Sequence, residues 1–311
     1  MERYLVTGGA GFIGSHISEE LVKRGFFVRI VDNFLTGKEE NIAAFLDDVE
    51  LIRGDIRDLK LCTRAIKNVD YVLHQAALPS VPRSIEDPLL TNAINIEGTL
   101  NILLAAREMA VKKVVFASSS SVYGDDEHFP KEEGLEGNPL SPYAVSKLAG
   151  EKYCQVFSAT FGLPTVCLRY FNIFGPRQDP SSQYAAVIPN FITRLLEDKA
   201  PIIHGDGEQS RDFTYVSNVV EANIKAAHVP DVSGEIFNIG CGAKTTVYEL
   251  AKTLTRLMEK NIEPIFEAER PGDVRHSVAE ISKAGALLNY SPQISLDDGL
   301  IKTIDWFSDQ E

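Results

Sequence analysis

Apolar residues in this chain fall into short, nearly unbroken runs separated by stretches with helical spacing. Residues Arg3–Thr7, 26–31, 49–52, 71–77, 114–118 and Thr165–Tyr170 read as strands, and Phe12–Lys23, 58–67, 86–110 and 142–161 read as helices. In Phe12–Lys23 the apolar positions Ile13, Ile17 and Leu21 recur at intervals of four, which gives that helix one buried face. Strands buried on both sides lose the apolar–polar alternation of a half-exposed sheet, and alternation with helices requires crossover connections. The pattern therefore predicts an α/β fold built on a doubly wound parallel sheet. After Asn172 the pattern breaks: Gly175-Pro-Arg-Gln-Asp-Pro reads as loop, and shorter elements follow. Residues 1–172 are read as the sheet domain, with returns to it near 213–240, and 173–311 as mainly a smaller α/β substrate domain.

The first strand runs directly into Gly8-Gly-Ala-Gly11-Phe-Ile-Gly14, and a helix follows. Strand, glycine turn and helix in that order are what a dinucleotide pyrophosphate needs. Glycine lets the backbone turn and approach closely, and the unpaired N–H groups of the helix start bind the anion. The second strand ends at Asp32, the spacing expected of a carboxylate that accepts hydrogen bonds from the adenosine ribose hydroxyls. A 2′-phosphate there would be repelled, so NAD is expected over NADP. The domain is thus of Rossmann type.

A second constellation lies further on. Ser141-Pro142 is a helix-start signal, which places Tyr143 in the first turn and Lys147 one turn later on the same face. An ammonium and a helix N-terminus both favour a phenolate, so Tyr143 is a candidate base. The run Ser118-Ser119-Ser120-Ser121 ends the 114–118 strand, and ligands of open α/β sheets sit at the carboxyl ends of strands. A hydroxyl there can hydrogen-bond the reacting oxygen.

Composition narrows the partners. With a formal net charge of −13 the chain lacks the basic face that nucleic acid or an anionic membrane requires, so neither is expected as a partner. An anionic ligand must then be held by local arginines or helix ends. No run of 18 apolar residues occurs and the first strand begins almost at once, so a cytoplasmic protein without signal peptide is expected. The four cysteines, Cys62, Cys154, Cys167 and Cys241, are far apart and the six histidines show no H-x-x-x-H pairing, which argues for buried thiols and no metal site.

On these residues, and on His74-Gln-Ala-Ala77, Arg169-Tyr-Phe-Asn172, Arg211-Asp-Phe213 and Arg270-Pro-Gly-Asp273, the chain resembles the extended short-chain dehydrogenase/reductases, and among them the UDP-hexose 4-epimerases, over nearly its whole length. The resemblance implies Ser119, Tyr143 and Lys147 as catalytic residues. It implies Gly8, Gly11, Phe12, Ile13, Gly14, Asp32, Asn33, Asp55, Ile56, Gln75, Ala76 and Ala77 around NAD, with Tyr143 and Lys147. For a UDP-sugar it implies Ser119, Tyr143, Asn172, Gln178, Val187, Arg211, Arg270 and Ser277. Dehydratases and decarboxylases of the family place carboxylates just after the active-site hydroxyl, where this chain has Ser120 and Ser121. Epimerisation by oxidation and re-reduction at C4 needs neither. Members restricted to UDP-glucose and UDP-galactose carry a tyrosine at the position of Ser277, so the small side chain leaves room for an N-acetyl group, as do the resemblances of 80–84 and 178–189 to the UDP-GlcNAc/UDP-GalNAc subgroup. Pro79 departs from the glycine common in that subgroup.

Further expectations concern regulation and assembly. The acidic segment 124–141 is read as a flap or a solvated loop. Relatives form a four-helix dimer through the helices at 86–110 and 142–161, so a homodimer is expected, with Leu100, Leu103 and Leu104 as contact or core. Rival readings are a UDP-glucuronate 4-epimerase or decarboxylase, needing a cation such as Arg83 or Arg177 near C6, and a non-catalytic NAD-binding regulator.

Overall fold

The computed structural model describes residues 1–180, 186–269 and 274–310. Its first half runs β1 (Arg3–Thr7), α1 (Phe12–Lys23), β2 (Phe27–Asp32), β3 (Val49–Arg53), α2 (Leu59–Ile66), β4 (Tyr71–His74), α3 (Val81–Glu86), α4 (Pro88–Asn92), α5 (Gly98–Glu108), β5 (Lys113–Ser119), α6 (Pro142–Phe161) and β6 (Thr165–Tyr170). The remainder runs β7 (Ile173–Phe174), α7 (Val187–Leu196), β8 (Ile202–His204), β9 (Ser210–Arg211), β10 (Thr214–Tyr215), α8 (Val216–His228), β11 (Glu235–Ile239), β12 (Thr245–Thr246), α9 (Val247–Leu257), β13 (Ile265–Glu267), β14 (His276–Ser277), α10 (Ser282–Leu288) and α11 (Leu296–Ser308).

Seven strands form one sheet in the order β11-β6-β5-β4-β1-β2-β3, every pairing parallel. This is the Rossmann arrangement, with α8 and β11 returning to it from the second half. Alternate side chains of each strand feed two separate cores. Tyr4, Val6, Tyr71, Leu73, Val115 and Leu168 pack on the side of α1 and α8, and Leu5, Val72, Val114, Phe116 and Cys167 on the side of α2, α5 and α6. A third core, around Phe191, Leu195, Leu250, Leu254 and Leu300, joins α7, α9 and α11 into the smaller layer.

Local differences from the expected elements have identifiable causes. The 71–77 strand stops at His74 because Gln75 and Ala76 bend onto the first strand, with Gln75 N–H donating to Thr7 O and Ala76 N–H to Thr7 Oγ1. The expected helix at 86–110 starts at Pro88, because Asp87 (φ −136°, ψ 80°) is its N-cap and accepts from Leu90 N–H, and it runs through a π-helical stretch, Ala93–Glu97, to Glu108. Residues Pro88–Glu108 are long and apolar enough, by composition alone, to cross a membrane, but half of that run is buried within the fold. Segment 124–141 is a strap and not a flap. Lys131, buried at its centre, exchanges backbone hydrogen bonds with Val278 and Glu280, and Glu133 accepts from Asn238 N–H at 2.8 Å. Leu103 belongs to the core, and Leu100 and Leu104, partly buried, pack against it.

Candidate active site

The glycine turn is set by close approaches. Gly8 has φ +67°, and a Cβ on it would lie 2.8 Å from the backbone of Ala76. A Cβ on Gly14 would lie 2.1 Å from Gly8 O. Gly11 occupies the N-cap of α1 in extended conformation and makes no side-chain cap, so the first-turn N–H groups of Phe12, Ile13 and Gly14 have no side-chain acceptor of that kind. That is the anion cradle a dinucleotide pyrophosphate fits.

Asp32, at the end of β2, accepts from Ala10 N–H (2.9 Å) and Phe34 N–H (2.8 Å) and so ties the glycine turn to the next loop. Burial raises its pKa above the usual carboxylate range, and the backbone N–H groups oppose that rise. Each oxygen keeps a second lone pair for a ribose hydroxyl. Beside it Asn33 donates to Asp55 at 2.8 Å, and the hydrogen bonds from Arg57 hold the Asp55 carboxyl down at about 2. Ile56 is buried and orders the neighbouring turn through its carbonyl, which accepts from Asn101. Ala76 and Ala77 line the exit of β4. Gln75 turns its side chain inward, donating to Asn223 and accepting from Tyr170, so what it offers a ligand is backbone.

At the end of β5, Ser119 accepts from Ser121 N–H (3.2 Å) and Ser121 Oγ–H (2.9 Å), near enough to Tyr143 to act on its phenol. The helix that presents Tyr143 starts as its sequence indicates, Ser141 Oγ accepting from Ala144 N–H with Pro142 in the first turn. Burial raises the Tyr143 phenol above its ordinary pKa, and Ser119 pulls it back. Lys147 is buried with its ammonium on Ala117 O at 2.7 Å and 5.9 Å from the centre of the Tyr143 ring. Burial pushes Lys147 down to about 8 against the pull of Glu151.

Glu151 continues the same helix face and is a part of the site that the sequence reading missed. It is fully buried, accepts from Ser118 Oγ at 2.5 Å, and pairs with both Nε and Nη2 of Arg169 at 2.8 Å. A signal for it exists in the sequence: Tyr143, Lys147 and Glu151 follow one another at helical spacing on a face that the fold buries.

The carboxyl ends of β5 and β6 are adjacent, Ser119 pairing in register with Tyr170, so Asn172 emerges beside Ser119. Asn172 has φ +39°. With Val187 and Arg211 it lines a cavity of about 270 Å³ shared with His204, Phe213 and Val247. Asn172 Nδ2 and Gln178 Oε1 are buried with no hydrogen-bond partner among the described residues, as expected of groups aimed at a polar ligand. Ser277 pairs in register with Arg211, which puts the two side chains on the same face of a small sheet. Arg270 lies outside the described residues. Among the described residues no cluster of His, Cys, Asp or Glu could hold a metal ion.

Residues 4–240 match the family model described as the NAD dependent epimerase/dehydratase family. The chain is similar to a solved structure of a UDP-N-acetylglucosamine 4-epimerase from Methanobrevibacter ruminantium M1 in complex with UDP-N-acetylmuramic acid, at 41% identity and TM-score 0.96, covering 100% of this chain and 99% of that one. It is similar to a UDP-glucose 4-epimerase of Thermus thermophilus solved in complex with NAD, at 38% identity and TM-score 0.89, covering 98% and 99%. It is also 38% identical to the UDP-N-acetyl-alpha-D-glucosaminuronate decarboxylase of Bacillus cytotoxicus, over 100% of this chain and 99% of the relative. The fold, the glycine cradle and the full-length matches agree: this chain belongs to the NAD dependent epimerase/dehydratase family.

Proposed function

We propose that the chain is an NAD-dependent UDP-hexose 4-epimerase that accepts UDP-GlcNAc and UDP-GalNAc and also the plain hexoses UDP-glucose and UDP-galactose. The observation that carries the reading is the convergence of Ser119, Tyr143 and Lys147 at the strand end beside the glycine cradle, with hydroxyls and not carboxylates at positions 120 and 121. Tyr143 takes the proton of the C4 hydroxyl, Ser119 hydrogen-bonds the same oxygen, and Lys147 supplies positive charge from below the ring. The glycine cradle and Asp32 would hold NAD, which would supply the hydride acceptor and donor for oxidation at C4 and re-reduction on the opposite face. The sheet and residues 1–172 hold the dinucleotide, and the layer from 173 onward holds the nucleotide sugar, with Asn172, Gln178, Val187 and Arg211 around its nucleotide end.

Ser277 supports acceptance of the N-acetyl group, since a serine facing the same way as Arg211 leaves volume that a tyrosine would fill. The decarboxylase relative keeps a uronate reading in view; Arg177 pairs its Nη2 with Glu19 of α1 at 2.5 Å, while its Nη1 is buried with no hydrogen-bond partner among the described residues. Incubation with UDP-GlcNAc, UDP-glucose and UDP-glucuronate in turn, without added NAD, separates the readings. UDP-GalNAc and UDP-galactose are the expected products, and conversion of UDP-glucuronate alone would overturn the assignment.

The assembly we infer is a homodimer. Val145 and Val156, three turns apart on α6, are 48% and 49% exposed, and Ile85 and Leu89 expose apolar surface on α3 and α4. V145D/V156D is expected to halve the mass measured by sedimentation. The four cysteines are free thiols, three of them buried, which suits a reducing, cytoplasmic compartment.

A further inference from the structure

Along β9 and the residues that follow it, side chains alternate between two sides. Arg211 and Phe213 line the cavity, whereas Ser210 and Asp212 are fully buried behind it. What meets the two oxygens of Asp212 is backbone. Its Oδ1 accepts from Cys241 N–H at 2.8 Å, and its Oδ2 accepts from Gly242 N–H at 2.9 Å and Ala279 N–H at 3.2 Å. Burial pushes this carboxyl up to about 6, although the three N–H groups favour its ionised form.

The three donors come from two different parts of the fold. Cys241 and Gly242 follow β11, the edge strand of the seven-stranded sheet, and Ala279 follows β14. The approach is close: a Cβ on Gly240 would lie 2.5 Å from Asp212 Oδ2 and 2.7 Å from Ala279 Cβ. Asp212 N–H also donates to Ser277 O at 2.9 Å, and the stretch after Ser277 is held from its other side by Lys131 of the strap. Arg211 and Ser277 stand opposite each other in the β9–β14 pairing. Arg211 Nη1 donates to Ser210 O at 2.8 Å and to Arg275 O at 3.4 Å, so the guanidinium reaches across both strands and its place depends on their spacing.

We propose that Asp212 is a positioning residue for sugar-nucleotide binding, a buried latch that locks β9 and β14 onto the end of β11 and so sets Arg211 at the cavity and Ser277 beside it. The inference rests on the reading of Arg211 and Ser277 as sugar-nucleotide residues. An amide in place of the carboxylate keeps its shape but turns one acceptor into a donor that faces at least one of the three N–H groups. The latch is then opened without removing a group that touches the ligand.

The test is UDP binding to the holoenzyme by calorimetry at about pH 8, where the Asp212 carboxyl of the parent is ionised. D212N is expected to weaken UDP binding at least about 10-fold and to raise KM for the UDP-hexoses by a similar factor, with kcat and NAD content within about 2-fold of the parent. G240A leaves the carboxylate in place, drives a Cβ against it and is expected to weaken UDP binding in the same direction. L103A, a truncation in the core beside α2 and α6, is the stability control, with a lowered Tm and the UDP affinity of the parent. If D212N and G240A behave like L103A, Asp212 is merely structural and the proposal is overturned; should D212N not fold, the parent's UDP affinity in G240A overturns it. If the parent binds no UDP the functional reading fails, and hydrogen exchange decides the latch. Protection lost in D212N or G240A at 209–214 and 274–280, and kept in β1 to β5, supports it, and unchanged protection overturns it.

Discussion

Replacing Gly14 by alanine tests whether the glycine turn is shaped for a ligand's backbone approach or merely connects a strand to a helix. Gly14 lies in the first turn of α1, where alanine would gain roughly 1 kcal/mol in helix propensity. Against that gain stands a Cβ placed 2.1 Å from Gly8 O, 2.8 Å from Gly8 C and 2.9 Å from Gly9 Cα. All three atoms are backbone and none can swing aside like a side chain. Separation to an ordinary contact requires the turn and the helix start to part by about 1 Å, an overpacking cost of about 3 kcal/mol that leaves G14A about 2 kcal/mol less stable. A 1 Å displacement of the N–H cradle is expected to weaken NAD retention about 100-fold. NAD released by denaturing the gel-filtered protein measures the second effect and a thermal melt the first. Gly25→Ala is the control: it has φ +78° with nothing within 4 Å of the added Cβ, so it carries about 1 kcal/mol of backbone strain and leaves NAD content unchanged. Full NAD occupancy and an unshifted melt in G14A would refute the reasoning.

Three further outcomes follow from particular contacts. S277Y is expected to lower turnover of UDP-GlcNAc at least about 100-fold while UDP-glucose stays within about 3-fold, measured by product separation; equal losses for both sugars would show that Ser277 does not bound the 2-substituent. E151Q removes one charge of a buried pair and strands Arg169, an expected loss of about 3–5 kcal/mol, or roughly 5 °C in Tm for a chain this long, and replacing both partners by leucine should recover most of it. His74, between Thr7 and Thr99, is pushed down to about 3 by burial, so the native state declines a proton that the unfolded chain takes up below about pH 6.5. Stability from this residue therefore falls as pH drops from about 6.5 towards 3, by about 2–3 kcal/mol at pH 4.5, and denaturant unfolding of H74Q should lack that component.

What can be read from the sequence is whatever a contiguous stretch encodes. The glycine turn, Asp32 at the end of β2, and Tyr143 after the Ser141-Pro142 cap are statements about neighbours in the chain, and they stand where the periodicity puts them. Asp87-Pro88 is equally local, and its cap-and-proline signal starts the helix two residues later than apolar spacing alone places it. The contacts that escape such a reading join residues far apart. Arg169 and Glu151 meet because β6 crosses beneath α6, and Lys131 reaches residues 278–280 across nearly half the chain. Composition makes the strap at 124–141 look like a mobile acidic loop, yet Glu133 is spent on capping Asn238 N–H of β11 and Lys131 is buried. The strap thus anchors the turn after Ser119 from one side, through Asn238 and Tyr123, while Glu151 anchors it from the other through Ser118. A hydroxyl at a strand end that must keep its place beside Tyr143 needs a support that does not move with a bound ligand. Here that support is made of the long-range contacts that no local pattern announces.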